Sequence, residues 1–407
     1  MTEARSTGST VGPAFVRGEG AWLRTAAGEA WFDGTSGSGA ATLGHQHPVV
    51  TAAAVAQLNR LTHTGCKFGS DARAELFSRL SALAPYADAA VLPTVTGSEA
   101  VEAALKIARA VTGRRGVLSF RYAYHGKTAG ALALTWRSEF RSYSALAPEV
   151  LAADLPDPRT GPADLAAFSA HLSDVLDRVG EVAAVVLEPV QVTEGMLAVE
   201  PAVLDEIGRQ ARARGALFVL DEIYTGLGRA GQLFAAEALS APPDMTLLGK
   251  TLGNGFPIAV VVGERSVLDA LPPGVQTSTF SGHPVSCAAG AAVLDVIAEQ
   301  DLPRRATELG ARLGTALDVL AARHPWLSAP RAVGGLAAFD CTRHDGHNPA
   351  VARAVLDAAA ARRLLLFGGG PEGATVKIIP PVLLDEQDER WLIDVLAASI
   401  ADAEGAQ

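Results

Sequence analysis

Between about residues 90 and 265, short apolar runs alternate with longer stretches of helical pattern. This alternation is typical of β-α units, which build a mainly parallel sheet. Because the apolar runs are almost continuous valine, leucine and isoleucine, helices should cover both faces of the sheet. The sequence therefore predicts a large α/β domain. The expected strands cover residues 89–92, 116–119, 182–187, 217–220, 245–248 and 258–262, with helices at 100–112 and 204–214.

The two ends of the chain have a different pattern. A chain of 407 residues exceeds the size at which a single core stops growing, so at least two domains are expected. Short strands are indicated around residues 21–24 and 30–33, and the last third of the chain is rich in helix pattern. We predict that residues 1–46 and 287–407 combine into a smaller domain, and that residues 47–286 form the large one.

Composition limits the class of protein. The chain is 49% hydrophobic and 19% charged, as in ordinary globular proteins, and its net charge of −10 argues against nucleic-acid or anionic-membrane partners. No apolar segment follows the single arginine near the start, and the longest apolar runs are strand-length, so neither a secretory signal nor a membrane span is expected. Three widely spaced cysteines imply no disulfide framework. We predict a cytoplasmic protein.

Lys250 is the most informative single residue. Only five of the 34 basic residues are lysines, and this one ends an apolar strand and begins a glycine-rich turn. An amine can lose its proton when desolvated and condense with a carbonyl, whereas a guanidinium cannot. A lysine that merely extends from a strand edge into water is the alternative interpretation.

Two further strand ends carry suitable chemistry. Gly97 and Ser98 follow the strand at 89–92 and open a helix, whose free N–H groups can hold a phosphate, although they could also serve only as a cap. Asp221 ends the strand at 217–220, and a buried carboxylate there needs a partner such as a protonated ring nitrogen, although capping of the next turn is also open. Ligands of open α/β sheets bind at the carboxyl ends of strands.

Tyr124 and Thr279 complete the pattern. Tyr124 follows the strand at 116–119 and could place its ring flat on a planar cofactor, while Thr279 adds a hydroxyl beside a glycine. A phosphate cradle, a ring stacker, a partner for a ring nitrogen and a Schiff-base lysine are together the requirements of pyridoxal 5'-phosphate.

The order and spacing of these motifs resemble the class III aminotransferases of PLP fold type I, over about residues 15–395. That resemblance implies a large domain with a mainly parallel seven-stranded sheet covered by helices, and a smaller α+β domain from both chain ends. The matching runs are Thr96-Gly-Ser-Glu-Ala100, Tyr124-His-Gly126, Glu188-Pro-Val-Gln191, Asp221-Glu-Ile-Tyr-Thr-Gly-Leu-Gly-Arg229, Gly249-Lys-Thr-Leu-Gly-Asn-Gly-Phe-Pro257, Ser278-Thr-Phe-Ser-Gly-His-Pro284 and Lys377-Ile-Ile-Pro-Pro381.

The resemblance also implies residue roles. Lys250 would be the Schiff-base lysine, Asp221 the partner of the pyridine nitrogen and Tyr124 the ring stacker. Thr279 would reach the phosphate of the other subunit, which implies a homodimer with shared active sites. The remaining cofactor-binding candidates are Gly97, Ser98, His125, Glu188, Ile223 and Tyr224, and the substrate-binding candidates are Gln191, Glu194 and Lys377.

Three positions depart from the family pattern. Tyr224 stands where the family usually has glutamine near the phenolic oxygen of the cofactor. The glutamate that gates the substrate-binding arginine of the family is shifted or missing, because the chain reads Gln191-Val-Thr-Glu194. Lys377 replaces that arginine and supplies a charge without a bidentate fork for a carboxylate.

The expected activity is transfer of an amino group by a ping-pong mechanism. The donor would be glutamate or another amino acid, and the acceptor a keto acid or a terminal aldehyde. An aminomutase or epimerase of the same family is the alternative, since it keeps the cofactor but returns the amino group to the same molecule. A silent binding protein on this fold is a third hypothesis.

Other polar clusters have simpler interpretations. The cysteine and histidines at 341–347 have metal-like spacing but lie in a glycine-containing polar loop without a second ligand pair, so no metal site is predicted. The glycines at 368–370 indicate a hairpin turn. His45 and His47 flank a turn, and we expect structural roles for both.

Overall fold

The computed structural model describes residues 13–142, 150–344 and 346–406. The first 12 residues, which bear on the expected absence of a secretory signal, and Asp345 of the 341–347 loop lie outside them. The strands are β1 (Phe15–Glu19), β2 (Trp22–Thr25), β3 (Ala30–Asp33), β4 (Ala89–Thr94), β5 (Gly116–Phe120), β6 (Val150–Ala153), β7 (Val182–Leu187), β8 (Val190–Gln191), β9 (Leu197–Ala198), β10 (Leu217–Asp221), β11 (Met245–Leu248), β12 (Ala259–Glu264), β13 (Leu327–Val333), β14 (Leu336–Arg343), β15 (Gly346–His347), β16 (Leu364–Leu365), β17 (Phe367–Gly369) and β18 (Thr375–Ile378).

The α-helices are α1 (Ser36–Gly39), α2 (Pro48–Arg60), α3 (Asp71–Leu83), α4 (Gly97–Thr112), α5 (Ala129–Leu134), α6 (Ser138–Arg141), α7 (Leu165–Val179), α8 (Pro201–Ala213), α9 (Arg265–Leu268), α10 (Pro284–Glu299), α11 (Leu302–Arg323), α12 (Pro349–Ala361) and α13 (Glu386–Asp402). Short 3₁₀ turns cover Ala235–Ala238, Lys250–Leu252, Pro371–Gly373 and Ala403–Ala406. Within the described residues, no helix is both long and apolar enough to cross a membrane.

The largest sheet has seven strands in the order β4-β12-β11-β10-β7-β5-β6. The predicted mainly parallel α/β sheet is confirmed, and five of its strands, from β11 to β6, run parallel to one another. β12 runs antiparallel to both of its neighbours, β11 and β4. Because the direction of a strand depends on the route of the loops on either side, the apolar run at 258–262 predicts a strand without predicting this reversal.

Helices cover both faces of this sheet. Successive side chains of a strand point to opposite faces. In β7, Ala184 and Val186 belong to the buried cluster that includes α4, whereas Val185 and Leu187 belong to the cluster that includes α7 and α8. This two-sided burial explains why the strands are continuously apolar in sequence.

The start of α4 is fixed by local hydrogen bonds. The Thr96 hydroxyl accepts a hydrogen bond from the Glu99 N–H at 3.3 Å, and the Glu99 carboxylate accepts one from the Val95 N–H at 2.8 Å. The helix ends at Gly113, whose φ of 68° is the left-handed conformation that favours glycine. α4 therefore begins at the carboxyl edge of the sheet with its first turn held in place.

Residues from the two chain ends pair in a smaller sheet. β3 pairs in parallel with β16, with Phe32 opposite Leu364, in the order β1-β2-β3-β16. A further, antiparallel sheet has the order β13-β14-β18-β17, and β15 pairs with β14 at its side. One buried cluster combines Ala21 and Phe32 with residues of α11, α12 and α13. The predicted boundaries at 46/47 and 286/287 stay a prediction.

Candidate active site

A cavity of about 360 Å³ opens at the carboxyl edge of the large sheet. Most of the predicted cofactor-binding residues line it, although they come from distant parts of the chain. Gln191, Glu194, Lys377 and Thr279 are not among its lining residues. The predicted residues that do line it are Gly97, Ser98, Tyr124, His125, Glu188, Asp221, Ile223, Tyr224 and Lys250.

The first turn of α4 forms one wall of the cavity. A Cβ at Gly97 would lie 2.7 Å from Cδ1 of Ile223, and one at Gly126 would lie 2.1 Å from Oγ of Ser98. Glycine at both positions therefore lets the chain approach closely. Because the first N–H groups of a helix have no partner within the helix, this wall can hold an anion.

Asp221 lies at the end of β10, where it contacts His125. Its Oδ2 is 2.7 Å from Nδ1 of His125, and its Oδ1 accepts a hydrogen bond from the Ile223 N–H at 3.1 Å. Both side chains are buried. The contact fixes the orientation of the carboxylate at the cavity wall.

Lys250 follows β11, the neighbour of β10. Its φ is 37°, which is uncommon for a residue with a side chain, and its Nζ lies 4.0 Å from the ring centroid of Tyr224. Burial lowers the pKa of the Lys250 amine, while the carboxylates of Asp221 and Glu188 act in the opposite direction. A lowered pKa makes the neutral, nucleophilic amine easier to form.

Glu188 follows β7 and contacts the backbone of Tyr124 at the cavity wall. Its Oε1 accepts a hydrogen bond from the backbone N–H of Tyr124 at 2.8 Å. Burial, with repulsion from Asp221, holds the pKa of Glu188 well above its usual range. Glu188 therefore fixes the backbone that carries the Tyr124 ring.

Residues outside the expected set hold the Lys250 turn. Asn254 accepts a hydrogen bond from the Leu43 N–H at 2.9 Å and donates one to the Gly44 carbonyl at 3.0 Å. The hydroxyls of Thr251 and Thr42 lie 2.8 Å apart. The sequence places Asn254 in the glycine-rich run after Lys250, but it does not show that residues 43 and 44 are its hydrogen-bond partners.

Lys377 and Glu194 lie beyond the cavity, each in a buried environment. Nζ of Lys377 donates a hydrogen bond to the carbonyl of Thr193 at 3.1 Å, and burial lowers the pKa of this lysine to about 8. The Glu194 carboxylate forms an ion pair with Arg137. Burial raises the pKa of Glu194, and Arg137 opposes that rise.

Arg137 was missed by sequence reasoning. It follows α5 without a motif of its own, and only the folded chain brings its guanidinium to Glu194. Two other predicted residues point elsewhere. The Gln191 amide donates to the Arg121 carbonyl at 2.8 Å, and Thr279 is exposed. Their predicted roles stay predictions.

The residues at the cavity fit pyridoxal phosphate. That molecule has three groups that a protein must meet: a phosphate, a ring nitrogen and an aldehyde. The start of α4 can hold the phosphate, the buried carboxylate at one strand end can face the ring nitrogen, and the amine at the next strand end can react with the aldehyde. Within the described residues, no group of three or more histidine, cysteine, aspartate or glutamate side chains could hold a metal ion.

The family model and the similar proteins agree on one family. The family model described as aminotransferase class-III matches residues 4–400. The chain is 34% identical to the 4-aminobutyrate aminotransferase GabT of Escherichia coli, covering 92% of this chain and 90% of that protein. It is 30% identical to the acetylornithine aminotransferase of Methanothermobacter thermautotrophicus, covering 95% and 93%.

Solved structures show the same likeness. An ornithine aminotransferase from Toxoplasma gondii, with partial occupancy of PLP at its active site, has a TM-score of 0.87 and 29% identity, covering 98% of this chain and 93% of that one. An (S)-enantioselective omega-transaminase from Thermomicrobium roseum has a TM-score of 0.91 and 26% identity, covering 99% and 96%.

Proposed function

The chain belongs to the class III aminotransferases, and on that premise we propose which of its residues bind the cofactor and the substrates. It is a pyridoxal phosphate-dependent aminotransferase, and its relatives' names do not favour the aminomutase or epimerase alternative. One observation carries the residue assignment: Asp221 and Lys250 end or follow adjacent parallel strands and line one cavity with the start of α4.

Lys250 is the proposed attachment point of the cofactor, and Asp221 would face its ring nitrogen. Bound pyridoxal phosphate supplies an electron sink that stabilises negative charge on the substrate carbon. The Lys250 amine would then serve as the acid and base that moves a proton between the substrate carbon and the cofactor carbon. Burial lowers the pKa of this amine, which makes the neutral form needed to accept the proton easier to reach.

The other lining residues position the ring and its phosphate. Gly97 and Ser98 would donate from the start of α4 to the phosphate. Tyr124 would lie against the ring, and Glu188 holds the Tyr124 backbone. His125 keeps Asp221 oriented toward the ring nitrogen. Ile223 packs beside Gly97, and Tyr224 would lie at the phenolic side of the ring.

The cationic residues at the substrate end favour acids. Lys377 and Arg137 place two cations near Glu194, and these can bind a substrate carboxylate when Glu194 turns away. We propose glutamate or another amino acid as donor, and a keto acid or terminal aldehyde as acceptor. The names of the relatives include 4-aminobutyrate, 5-aminovalerate and acetylornithine, which all carry an amine at the chain end away from a carboxylate.

A homodimer in the cytoplasm is the proposed state. Phe280 is 58% exposed and Phe68 is 71% exposed, and the Phe280 ring contacts His63, which stacks on His283. The exposed Phe280 ring and the two histidines beside it form one surface that a second copy could cover, which supports the proposed dimer. Thr279, next to Phe280, would then reach the cavity of the second copy.

We keep the division into a large domain at 47–286 and a small domain from both ends as part of the proposal.

Borohydride reduction tests the assignment of Lys250. Reduction of the loaded enzyme followed by peptide mapping should place a pyridoxyl label on Lys250 and leave the exposed Lys106 unlabelled. Lys250→Ala should abolish amino transfer to 2-oxoglutarate or pyruvate in a panel of terminal amines, with the fold and assembly unchanged. Lys106→Ala is the matched control and should keep full activity. A label on another lysine, or normal turnover by Lys250→Ala, would refute the assignment.

A further inference from the structure

The ring of Tyr224 faces the amine of Lys250. Tyr224 is three residues beyond the end of β10, and Lys250 lies two residues beyond the end of the adjacent β11. Nζ of Lys250 is 4.0 Å from the centroid of the Tyr224 ring. A cation at this distance over an aromatic face is attracted by the negative potential of the ring, and the attraction grows when water is excluded.

The ring is fixed in place by its surroundings. A Cβ at position 39 would lie 2.4 Å from Cε1 and 2.7 Å from the hydroxyl of Tyr224, so the bare backbone of Gly39 is packed against the ring. Gly39 has a φ of 79°, which glycine adopts without strain. Tyr224 also packs against the buried apolar cluster that contains Val190, Met196 and Leu336. The ring therefore cannot turn away from the amine without disturbing both contacts.

The carboxylates of Asp221 and Glu188 also favour the charged form of Lys250. Asp221 already contacts His125, and burial favours the protonated, neutral form of Glu188. Lys377, on β18, repels the charged amine. Burial raises the pKa of Tyr224, so its phenol stays neutral and its ring face keeps its attraction at every working pH. Tyr124 and His125 complete the titratable groups at the cavity wall.

We propose that the ring face of Tyr224 stabilises the ammonium form of Lys250 and holds it in the cavity, which makes Tyr224 a positioning residue that acts through the amine. The proposal rests on the role given to Lys250 above. An amine that has taken a proton from the substrate carbon must keep it until it is passed to the cofactor carbon. The ring supports this charged form without adding a carboxylate that would compete for the proton.

The proton affinity of Lys250 can be measured in the full-length chain after the cofactor is removed. Trace acetylation with acetic anhydride from pH 6 to 11, followed by peptide mass analysis, gives the midpoint at which the amine becomes reactive. In Tyr224→Leu the midpoint should fall by about one pH unit, a tenfold change in the ratio of ammonium to amine. Tyr224→Phe keeps the ring face and should keep the wild-type midpoint. The exposed Lys106 in the same digest is the internal reference.

Two results would overturn the proposal. An unchanged midpoint in Tyr224→Leu overturns the proposal, and so does an equal fall in Tyr224→Phe, since that would assign the effect to the hydroxyl. Recovery of visible absorbance on adding pyridoxal phosphate shows that each variant is folded, and Tyr224→Met replaces the leucine variant if that one fails to recover. A pyridoxyl label on a lysine other than Lys250 would refute the proposed function while leaving this midpoint unaffected.

Discussion

Nδ1 of His125 lies 2.7 Å from Oδ2 of Asp221, in a pair of buried side chains. Nε2 of His125 has no hydrogen-bond partner among the described residues. Among the described residues, the His125 ring therefore hydrogen-bonds through one nitrogen only, and its partner is Asp221. A buried carboxylate without a partner is costly, so the contact with His125 stabilises Asp221 in the cofactor-free chain.

Replacement of His125 should destabilise the cofactor-free chain more than the loaded one. His125→Phe keeps a ring but leaves Oδ2 of Asp221 without its partner, which should cost about 1–3 kcal/mol in the free energy of unfolding. If Asp221 faces the ring nitrogen as proposed, bound pyridoxal phosphate should recover part of that loss. Urea unfolding with and without the cofactor measures both values.

The exposed His344 supplies the control for this comparison. His344→Phe should leave the free energy of unfolding unchanged in both states. An equal loss in the loaded and the cofactor-free His125→Phe protein would contradict a link between His125, Asp221 and the ring nitrogen.

The pH dependence of kcat/KM for a donor with a carboxylate should follow the loss of charge on Lys377. Burial lowers its pKa to about 8, so the amine loses its charge as pH rises above that value. For a donor with a distal carboxylate, kcat/KM should fall by up to about tenfold between pH 8 and 9.5, because one cation at the substrate end is lost. Lys377→Arg keeps its charge and should remove this decline. An amine without a carboxylate is the control substrate, and the same decline with that amine would exclude Lys377 as its cause.

Arg137 and Glu194 should be energetically coupled. Glu194 is 3% exposed, and Arg137 is its ion-pair partner. Arg137→Met strands a buried carboxylate, whereas Glu194→Gln in the same chain removes the charge that was stranded. A double-mutant cycle by urea unfolding should give a coupling of about 1–3 kcal/mol. The exposed pair Arg353 and Asp357 on α12 is the control and should show no measurable coupling. Additive effects at Arg137 and Glu194 would contradict the contact.

Sequence reasoning brought together the residues at strand ends. Gly97, Asp221 and Lys250 follow apolar strands of one sheet, and the carboxyl ends of parallel strands meet at one edge, so a shared cavity could be expected from local pattern. The motif order added Tyr124 and Glu188. The antiparallel direction of β12 was not accessible, because an apolar run carries no information on strand direction.

The proposed substrate end was less predictable from the sequence, because its contacts join separate loops. The contact between Arg137 and Glu194 joins the segment after α5 to the turn between β8 and β9, and neither has a local signal for the other. Similarly, Asn254 stands in a recognisable glycine-rich run, but its hydrogen bonds to residues 43 and 44 depend on how the N-terminal segment packs. Such contacts follow from tertiary packing rather than from periodicity.

Glu222 should make the stability of the protein depend on pH. It is buried next to Asp221, and both of its carboxylate oxygens lie 2.9 Å from the Ala235 N–H. Burial raises the pKa of Glu222 from 4.5 to about 8. The folded chain therefore keeps this proton up to about pH 8, while the unfolded chain loses it near pH 4.5. Between these values the folded state binds more protons, so the contribution of Glu222 to stability decreases as pH rises.

Glu222→Gln cannot ionise and should lack this decrease. The free energy of unfolding of the variant, minus that of the wild type, should rise by on the order of 1–3 kcal/mol from pH 5 to pH 8. Any constant cost of the amide at this site cancels in that comparison, because only the change with pH is used. Urea unfolding at pH 5, 6.5 and 8 gives the three differences. A difference that stays level over this range would show that Glu222 is ionised in the folded chain at all three pH values, contrary to the effect of its burial.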